Sequence, residues 1–418
     1  MNFFKLFGIW FFAIILSSPR LFAQYFPYSF QSSRSMALGG VSSTGFDEAF
    51  TTLLNPASLT KLSQNRIALN SQIGITSWDF ESKTGSIKTD DSLLISPGLA
   101  AGFRTGSSLI GLGLSISSFD NLRMKFPENE FQRYQLNEFA LQSGSFDVGL
   151  GFMPRNGLSF GLRVGYRVGM ATWERMINPF EDNPSDTSSF EYTLLIDGED
   201  FEGLNGEIGM IWSPNYRFEI GLSYQPTMSY HFDSDIEAQL PPILGGATLS
   251  SGLEEIRVNI PMEAILGIHW IASERVDCYF DVAWKQYSSI DDIEIKAKKP
   301  ITPFISETYK IPVDYRDELR IHTGFEIIAT PAITLRFGGY YASPVSEDDE
   351  QFLVKSIPDR FGFTSGIGFE LARLKLDLAG GYNLSNQQKI HNEMDVYSLT
   401  GDLESSRFFI NMGVSWTF

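Results

Sequence analysis

Few side chains in this sequence could do chemistry, and most of those are wrongly spaced for it. Gly157-Leu158-Ser159-Phe160-Gly161 fits the Gly-x-Ser-x-Gly pattern, which presents a serine nucleophile on a sharp turn between a strand and a helix. Here a turn precedes the serine and an alternating strand follows, so Ser159 reads as one residue of a glycine-rich strand and no enzyme is expected. His231, His269, His322 and His391 are scattered without the spacing zinc requires. Cys278 is the only cysteine, which excludes an internal disulfide and a Cys-x-x-Cys site, and no cofactor is expected. What remains is arginine. Arg163 and Arg167 are four residues apart, so on a strand they share one face about 13 Å apart, and Arg336 points the same way from a later strand. A guanidinium can grip a carboxylate through two parallel bonds, more strongly where water is scarce, which makes these three candidate substrate-binding residues. The competing reading pairs them with Glu207, Glu219, Glu326 or Glu370 in ladders that only brace the structure, and the acidity of the chain favours it.

Those arginines need strands to aim them, and strands are what the chain supplies. From Arg66 onward apolar and polar residues alternate in blocks of about 10 to 14, longer than the five or six usual in soluble sheets. The alternation predicts fourteen strands, at 66–78, 93–104, 108–119, 138–153, 158–172, 202–213, 217–231, 256–271, 275–288, 318–329, 332–343, 361–371, 374–384 and 406–418. Connections alternate strictly between short turns, such as Pro154 to Gly157 or Ala372-Arg373, and long loops, such as Trp173 to Phe201. That asymmetry belongs to barrels with one short-turn rim and one long-loop rim in a membrane. In 158–170 the outward row is Leu158, Phe160, Leu162, Val164, Tyr166, Val168 and Met170, and the last strand gives Phe408, Ile410, Met412, Val414, Trp416 and Phe418. Neither row holds a charge, as expected where an arginine or lysine at the lipid midplane costs about 2 to 4 kcal/mol.

Composition closes off other classes. The sequence carries 32 basic and 50 acidic side chains, a formal net charge of −18, which argues against nucleic acid. Residues 1–23 read as a signal peptide: Lys5, an apolar run over 6–16, and a break at Ser17-Ser18-Pro19. Eleven apolar residues are too few to span a bilayer as a helix, which takes about 20.

The segment between leader and first strand, Ser32 to Leu59, lacks strand alternation, carries Gly39-Gly40 and closes on Asn55-Pro56-Ala57. It resembles the N-terminal hatch of the FadL/TodX family of outer-membrane transporters at Arg34, Ser35, Met36, Ala37, Leu38, Gly39, Gly40, Asp47, Asn55, Pro56, Ala57 and Leu59. Leu335-Arg336, Ser343-Pro344-Val345, Pro358-Asp359-Arg360 and a terminal Phe418 resemble the family's closing hairpins. The resemblance implies an all-β transmembrane antiparallel barrel of about 14 strands at 66–418, plugged by a hatch at 24–65, in the outer membrane of a Gram-negative bacterium. It implies passive uptake of long-chain fatty acids or other hydrophobic small molecules by a monomer in contact with outer-membrane lipids and lipopolysaccharide. It also implies that Asn55, Pro56 and Ala57 gate a lateral route beside an inward kink in the third strand, at Gly111 and Gly113. The alternative within the same family is a PorV-like carrier or attachment protein in protein secretion. Two loop features bear on these readings. The apolar loop segment 236–253 is either a folded-in plug or a capture surface, and the acidic runs at Asp197 and Glu347 are either solvated charge or sites for divalent cations.

Overall fold

The structure is a computed structural model that describes residues 32–418, except 84, 90–91, 106–108, 129, 179–188, 255, 291–292, 300–307, 312–313, 347–356 and 393–398. The expected leader, hatch residues 24–31 and the acidic run 347–350 lie outside the described residues. Fourteen strands form one antiparallel wall. β1 Arg66–Ser82, β2 Ser92–Arg104, β3 Ile110–Lys125, β4 Glu138–Arg155, β5 Leu158–Ile177 and β6 Tyr192–Asn215 follow in order. β7 comes in two pieces, Phe218–Gln225 and Met228–Gln239, as does β8, Ile256–Ile260 and Glu263–Ser273. β9 Val276–Lys285, β10 Glu318–Thr330, β11 Ile333–Ala342, β12 Arg360–Leu371, β13 Leu374–Ser385 and β14 Leu399–Thr417 complete the circuit. β14 returns to β1 in a seam running from Arg66↔Thr417 to Ser82↔Gly401. Closure gives backbone groups partners within the sheet, the condition for crossing hydrocarbon. No described helix is long and apolar enough to span a membrane.

The faces follow the alternation. Phe160, Leu162, Val164 and Met170 on β5, and Phe408, Met412, Val414 and Trp416 on β14, are exposed outward, whereas Ser159, Arg163 and Arg167 are buried inward.

Above the lipid band the pattern inverts, and there the strands outrun the sequence reading. β6 begins at Tyr192 instead of 202, β14 at Leu399 instead of 406, and β3 runs on to Lys125. In these extensions apolar residues turn inward because no lipid lies outside. Trp78, Phe80, Ile87, Met124, Phe126, Leu136, Ile390 and Leu403 form one buried cluster. A second gathers Tyr192, Leu194, Ile196, Tyr230, Phe232 and Ile236 among others, and Trp173 packs on both. The two strands expected to run unbroken over 217–231 and 256–271 are each interrupted, at Pro226-Thr227 and at Pro261-Met262. Proline has no N–H to give the ladder, and that overrides the alternation.

Candidate functional site

Hatch residues fold locally before they fit the wall. Helix α1, Ser33–Ala37, starts at Ser32, whose Oγ accepts the Ser35 N–H at 3.1 Å. It ends at Gly39 and Gly40, whose φ of 77° and 87° glycine adopts without strain. A short helix α2, Thr51–Leu54, leads into a 3-10 turn, Pro56–Lys61. Asn55 caps that turn: its Oδ1 accepts the Ala57 N–H at 3.1 Å, and Pro56 stands where a missing N–H costs nothing.

The wall then receives the hatch backbone at glycines. A Cβ on Gly338 would stand 2.1 Å from the Gly39 nitrogen, one on Gly221 2.0 Å from the Ser43 oxygen, and one on Gly161 2.1 Å from the Ala57 nitrogen. The inward glycines are therefore seats, and the room they leave is filled by hatch main chain. Between the seats, carboxylates hold the hatch. Asp281 accepts from the Ser42 N–H at 2.7 Å, the Ser43 N–H at 3.0 Å and the Ser43 hydroxyl at 2.7 Å. Glu219 pairs with Lys61 at 2.7 Å, and Glu326 with Arg34 at 2.8 Å. His322 Nδ1 lies 2.7 Å from the Gly39 oxygen. Ser33 Oγ reaches both sides of the seam, 2.6 Å from Asn70 Oδ1 on β1 and 2.7 Å from Asn411 Oδ1 on β14. Within the hatch, burial pushes the Glu48 carboxyl up from its ordinary range, while Arg34 pulls it back down.

The expected gating residues are in contact with the wall, but not in the expected pairing. Pro56 and Ala57 lie on Gly161 of β5, and Asn55 lies on Gly209 of β6 while donating to the Leu222 oxygen of β7 at 3.3 Å. Gly111 and Gly113 of β3 meet Leu59 and Thr52 instead. The 3-10 turn explains the difference: at about 2.0 Å rise per residue, it carries the chain about 8 Å from Asn55, beside β5 and β6, to Leu59, beside β3 and β4. β3 itself is irregular, since its ladder to β2 stops at Gly98↔Ser117 and its register to β4 shifts between Ser118 and Asn121. Replacing Asn55 by alanine removes the cap and its bonds to the Ser43 and Leu222 oxygens. We expect hatch docking to weaken by about 1 to 2 kcal/mol. Heat-resistant electrophoretic mobility of the barrel should stay intact while ligand uptake changes. Loss of the assembled barrel would refute this.

Arg163 and Arg336 are each paired with two carboxylates. Arg163 Nη1 is 3.1 Å from Asp147 and its Nη2 2.8 Å from Glu207, with all three side chains buried. Arg336 is 2.6 Å from Glu326 and 2.6 Å from Asp377. Arg167 is buried on the same face of β5, Glu219 is spent on the hatch, and Glu370 is exposed. Ser159 accepts the Thr60 hydroxyl at 2.8 Å, a contact with the hatch. No group of three or more metal-ligating side chains occurs among the described residues. Asp281 and Thr364, which binds both the Gly39 N–H and the Ala37 oxygen, were not singled out in the sequence; inward parity on a strand was the one available signal.

Comparison with known proteins agrees with this geometry. A crystal structure of a Pseudomonas aeruginosa FadL homologue superposes with TM-score 0.80 at 14% identity, covering 95% of this chain and 100% of that one. The Pseudomonas putida toluene transporter TodX gives 0.71 at 17% identity, covering 93% and 99%. The outer membrane protein named NMB0088 of Neisseria meningitidis serogroup B is 21% identical over 397 residues, 84% of each chain. The family model described as outer membrane protein transport protein (OMPP1/FadL/TodX) matches residues 23–418, and the chain belongs to that family of outer-membrane transport barrels.

Proposed function

We propose that this barrel admits hydrophobic small molecules passively, taking them up on the apolar interior of its outer mouth and handing them to a lumen interrupted by the hatch. The carrying observation is the inversion above the lipid band. Phe80, Phe126, Ile390 and Leu403 are fully or almost fully buried in a mouth where polar residues would suit an aqueous pore. TodX is by name a toluene transporter, which supports the class. Because Arg163 and Arg336 are each already held by two carboxylates, neutral hydrophobic ligands fit this lumen better than long-chain fatty acids. Asn55, Pro56, Ala57, Gly111 and Gly113 form the gating set under this reading. In reconstituted vesicles, radiolabelled toluene should enter faster than labelled palmitate, and Phe80→Asp should lower toluene entry severalfold. Unchanged hydrophobic uptake in a deletion strain that instead lacks surface proteins would overturn the reading in favour of a secretion carrier.

A further inference from the structure

The two rims of the barrel carry opposite charge. On the long-loop rim, the connection Trp173 to Phe201 has eight carboxylates against one arginine, and 232–255 has five against no arginine or lysine. The short turns reverse the balance. Pro154 to Gly157, Pro214 to Arg217 and Ala372-Arg373 each hold one arginine and no acid, and Ala272 to Arg275 holds Arg275 beside Glu274.

Main-chain bonds fix where these four arginines stand. Arg155 ends β4 and pairs with Leu158 across its turn. The other three occupy one position, the residue just before a strand, and each gives its carbonyl oxygen to a neighbouring strand. Arg217 accepts the Ile271 N–H, Arg275 the Ile328 N–H and Arg373 the Thr417 N–H, all at 2.9 Å. All four side chains are exposed. Among the described residues the guanidiniums of Arg155, Arg275 and Arg373 have no hydrogen bond or ion pair, and that of Arg217 donates to the Tyr216 hydroxyl at 2.9 Å and lies 5.4 Å from the centre of its ring. Glu274 and Glu370, exposed on the same rim, pair with none of them. Arginines inside the barrel behave otherwise: Arg34, Arg163, Arg320 and Arg336 each hold a carboxylate.

The height of this rim in the membrane follows from the aromatic residues exposed on the wall beside it. Phe152, Trp212, Phe218, Trp270, Phe369 and Trp416 form a girdle of the kind that sits where hydrocarbon meets headgroups. Arg217 adjoins Phe218, Arg155 follows Phe152 by three residues, Arg373 follows Phe369 by four and Arg275 follows Trp270 by five. At about 3.3 Å per residue along tilted strands, the four guanidiniums stand at headgroup level, and the flexible arginine stem lets them reach sideways to a phosphate. The turns are two to four residues long, too short to build a platform for a soluble partner. The arginines are also spread over four hairpins, β4–β5, β6–β7, β8–β9 and β12–β13, as suits a partner that surrounds the wall. A phosphodiester matches the guanidinium fork, and the acidic opposite rim repels the same anion.

We propose that the short-turn rim is a binding surface for anionic phospholipid headgroups such as phosphatidylglycerol, with Arg155, Arg217, Arg275 and Arg373 each holding a headgroup phosphate. This surface is independent of what the barrel transports.

The test places the full barrel in phosphatidylcholine vesicles that contain either phosphatidylglycerol or phosphatidylcholine with brominated acyl chains. Trp212, Trp270 and Trp416, exposed outwards near the rim, report contact by loss of fluorescence. Phosphatidylglycerol should be favoured about fivefold at low salt, and the preference should shrink to within about twofold in about 1 M salt. Changing all four arginines to glutamine should abolish the preference with heat-resistant mobility intact, and changing all four to lysine should keep part of it. Equal quenching by the two lipids in the parent, or an unchanged preference in the glutamine variant, overturns the proposal. A parent without lipid preference that co-sediments with purified peptidoglycan assigns the arginines to wall carboxylates and overturns it too. Should the fourfold glutamine variant fail to assemble, Arg155→Gln and Arg373→Gln made singly decide: each should lower the preference in part, and no effect from either overturns the surface.

Discussion

Arg163→Ala should lower the stability of the assembled barrel by about 3 to 5 kcal/mol, because it strands two buried carboxylates, Asp147 and Glu207, without a counter-charge. Asp147 is fully buried and Glu207 nearly so, so water cannot take over the role of the guanidinium. The midpoint of thermal unfolding, followed by the shift from folded to unfolded electrophoretic mobility, should fall markedly. Binding of a fatty acid and of its methyl ester should change by the same factor. If acid binding fell alone while the midpoint held, Arg163 would be reassigned to gripping a ligand carboxylate. Replacing Arg163, Asp147 and Glu207 together by apolar residues of similar volume should recover most of the loss, since the penalty lies in the unpaired charges and not in the missing pair.

Gly161→Leu should dislodge the hatch and leave the wall standing. The new Cβ would fall 2.1 Å from the Ala57 nitrogen and 2.2 Å from the Pro56 carbonyl carbon, and main chain cannot swing aside as a flexible side chain can. Gly161 is held by ladder pairs on both sides, to Gly151 and Gly209, so the hatch is the partner that yields. Overpacking of this kind costs about 1 to 3 kcal/mol, a factor of roughly 5 to 150 in hatch occupancy. Single-channel conductance should rise above that of the parent, and cells should become sensitive to bulky hydrophilic antibiotics. Gly380→Ala is the control: the nearest atom its Cβ would meet is a carbonyl oxygen at 3.5 Å, and conductance should not change. Equal conductance in all three proteins would mean that the hatch does not close the lumen.

Where lipid imposed the pattern, the sequence was easy to read. β5 and β13 carry unbroken alternation because one face must be apolar and the other meets a polar lumen; β13 keeps its expected bounds to within one residue, and β5 starts where expected but runs on to Ile177. Legibility failed where that constraint lapses. Trp78 and Phe80 continue β1 above the lipid band with apolar side chains turned inward, so alternation persists with its meaning reversed. Pro226 and Pro261 interrupt strands whose apolar parity continues on either side. The candidate site was legible in its parts and not in its pairings. Asn55-Pro56-Ala57 stood out as a motif, but one wall glycine looks like another in sequence. Only the path of the 3-10 turn decides that Gly161 meets Ala57 and Gly111 meets Leu59. Asp147 sits on the strand next to that of Arg163, whereas Asp377 of β13 reaches Arg336 of β11 over Gly368 of the intervening β12, relations that need register as well as parity.

The seam sets an order of events in biogenesis. β1 and β14 pair over seventeen successive residues of β1, yet the partners are separated by nearly the whole chain. Such distant partners make closure the slow, late step of folding, after every intervening hairpin has formed from local contacts. The hatch precedes β1 in sequence and ends up inside, with Ser33 touching one residue from each side of the seam. A plug that touches both sides of the joint from within adds contacts to the two strands that closure brings together. The stopper thus comes first in the sequence, and one strand of the lock comes last.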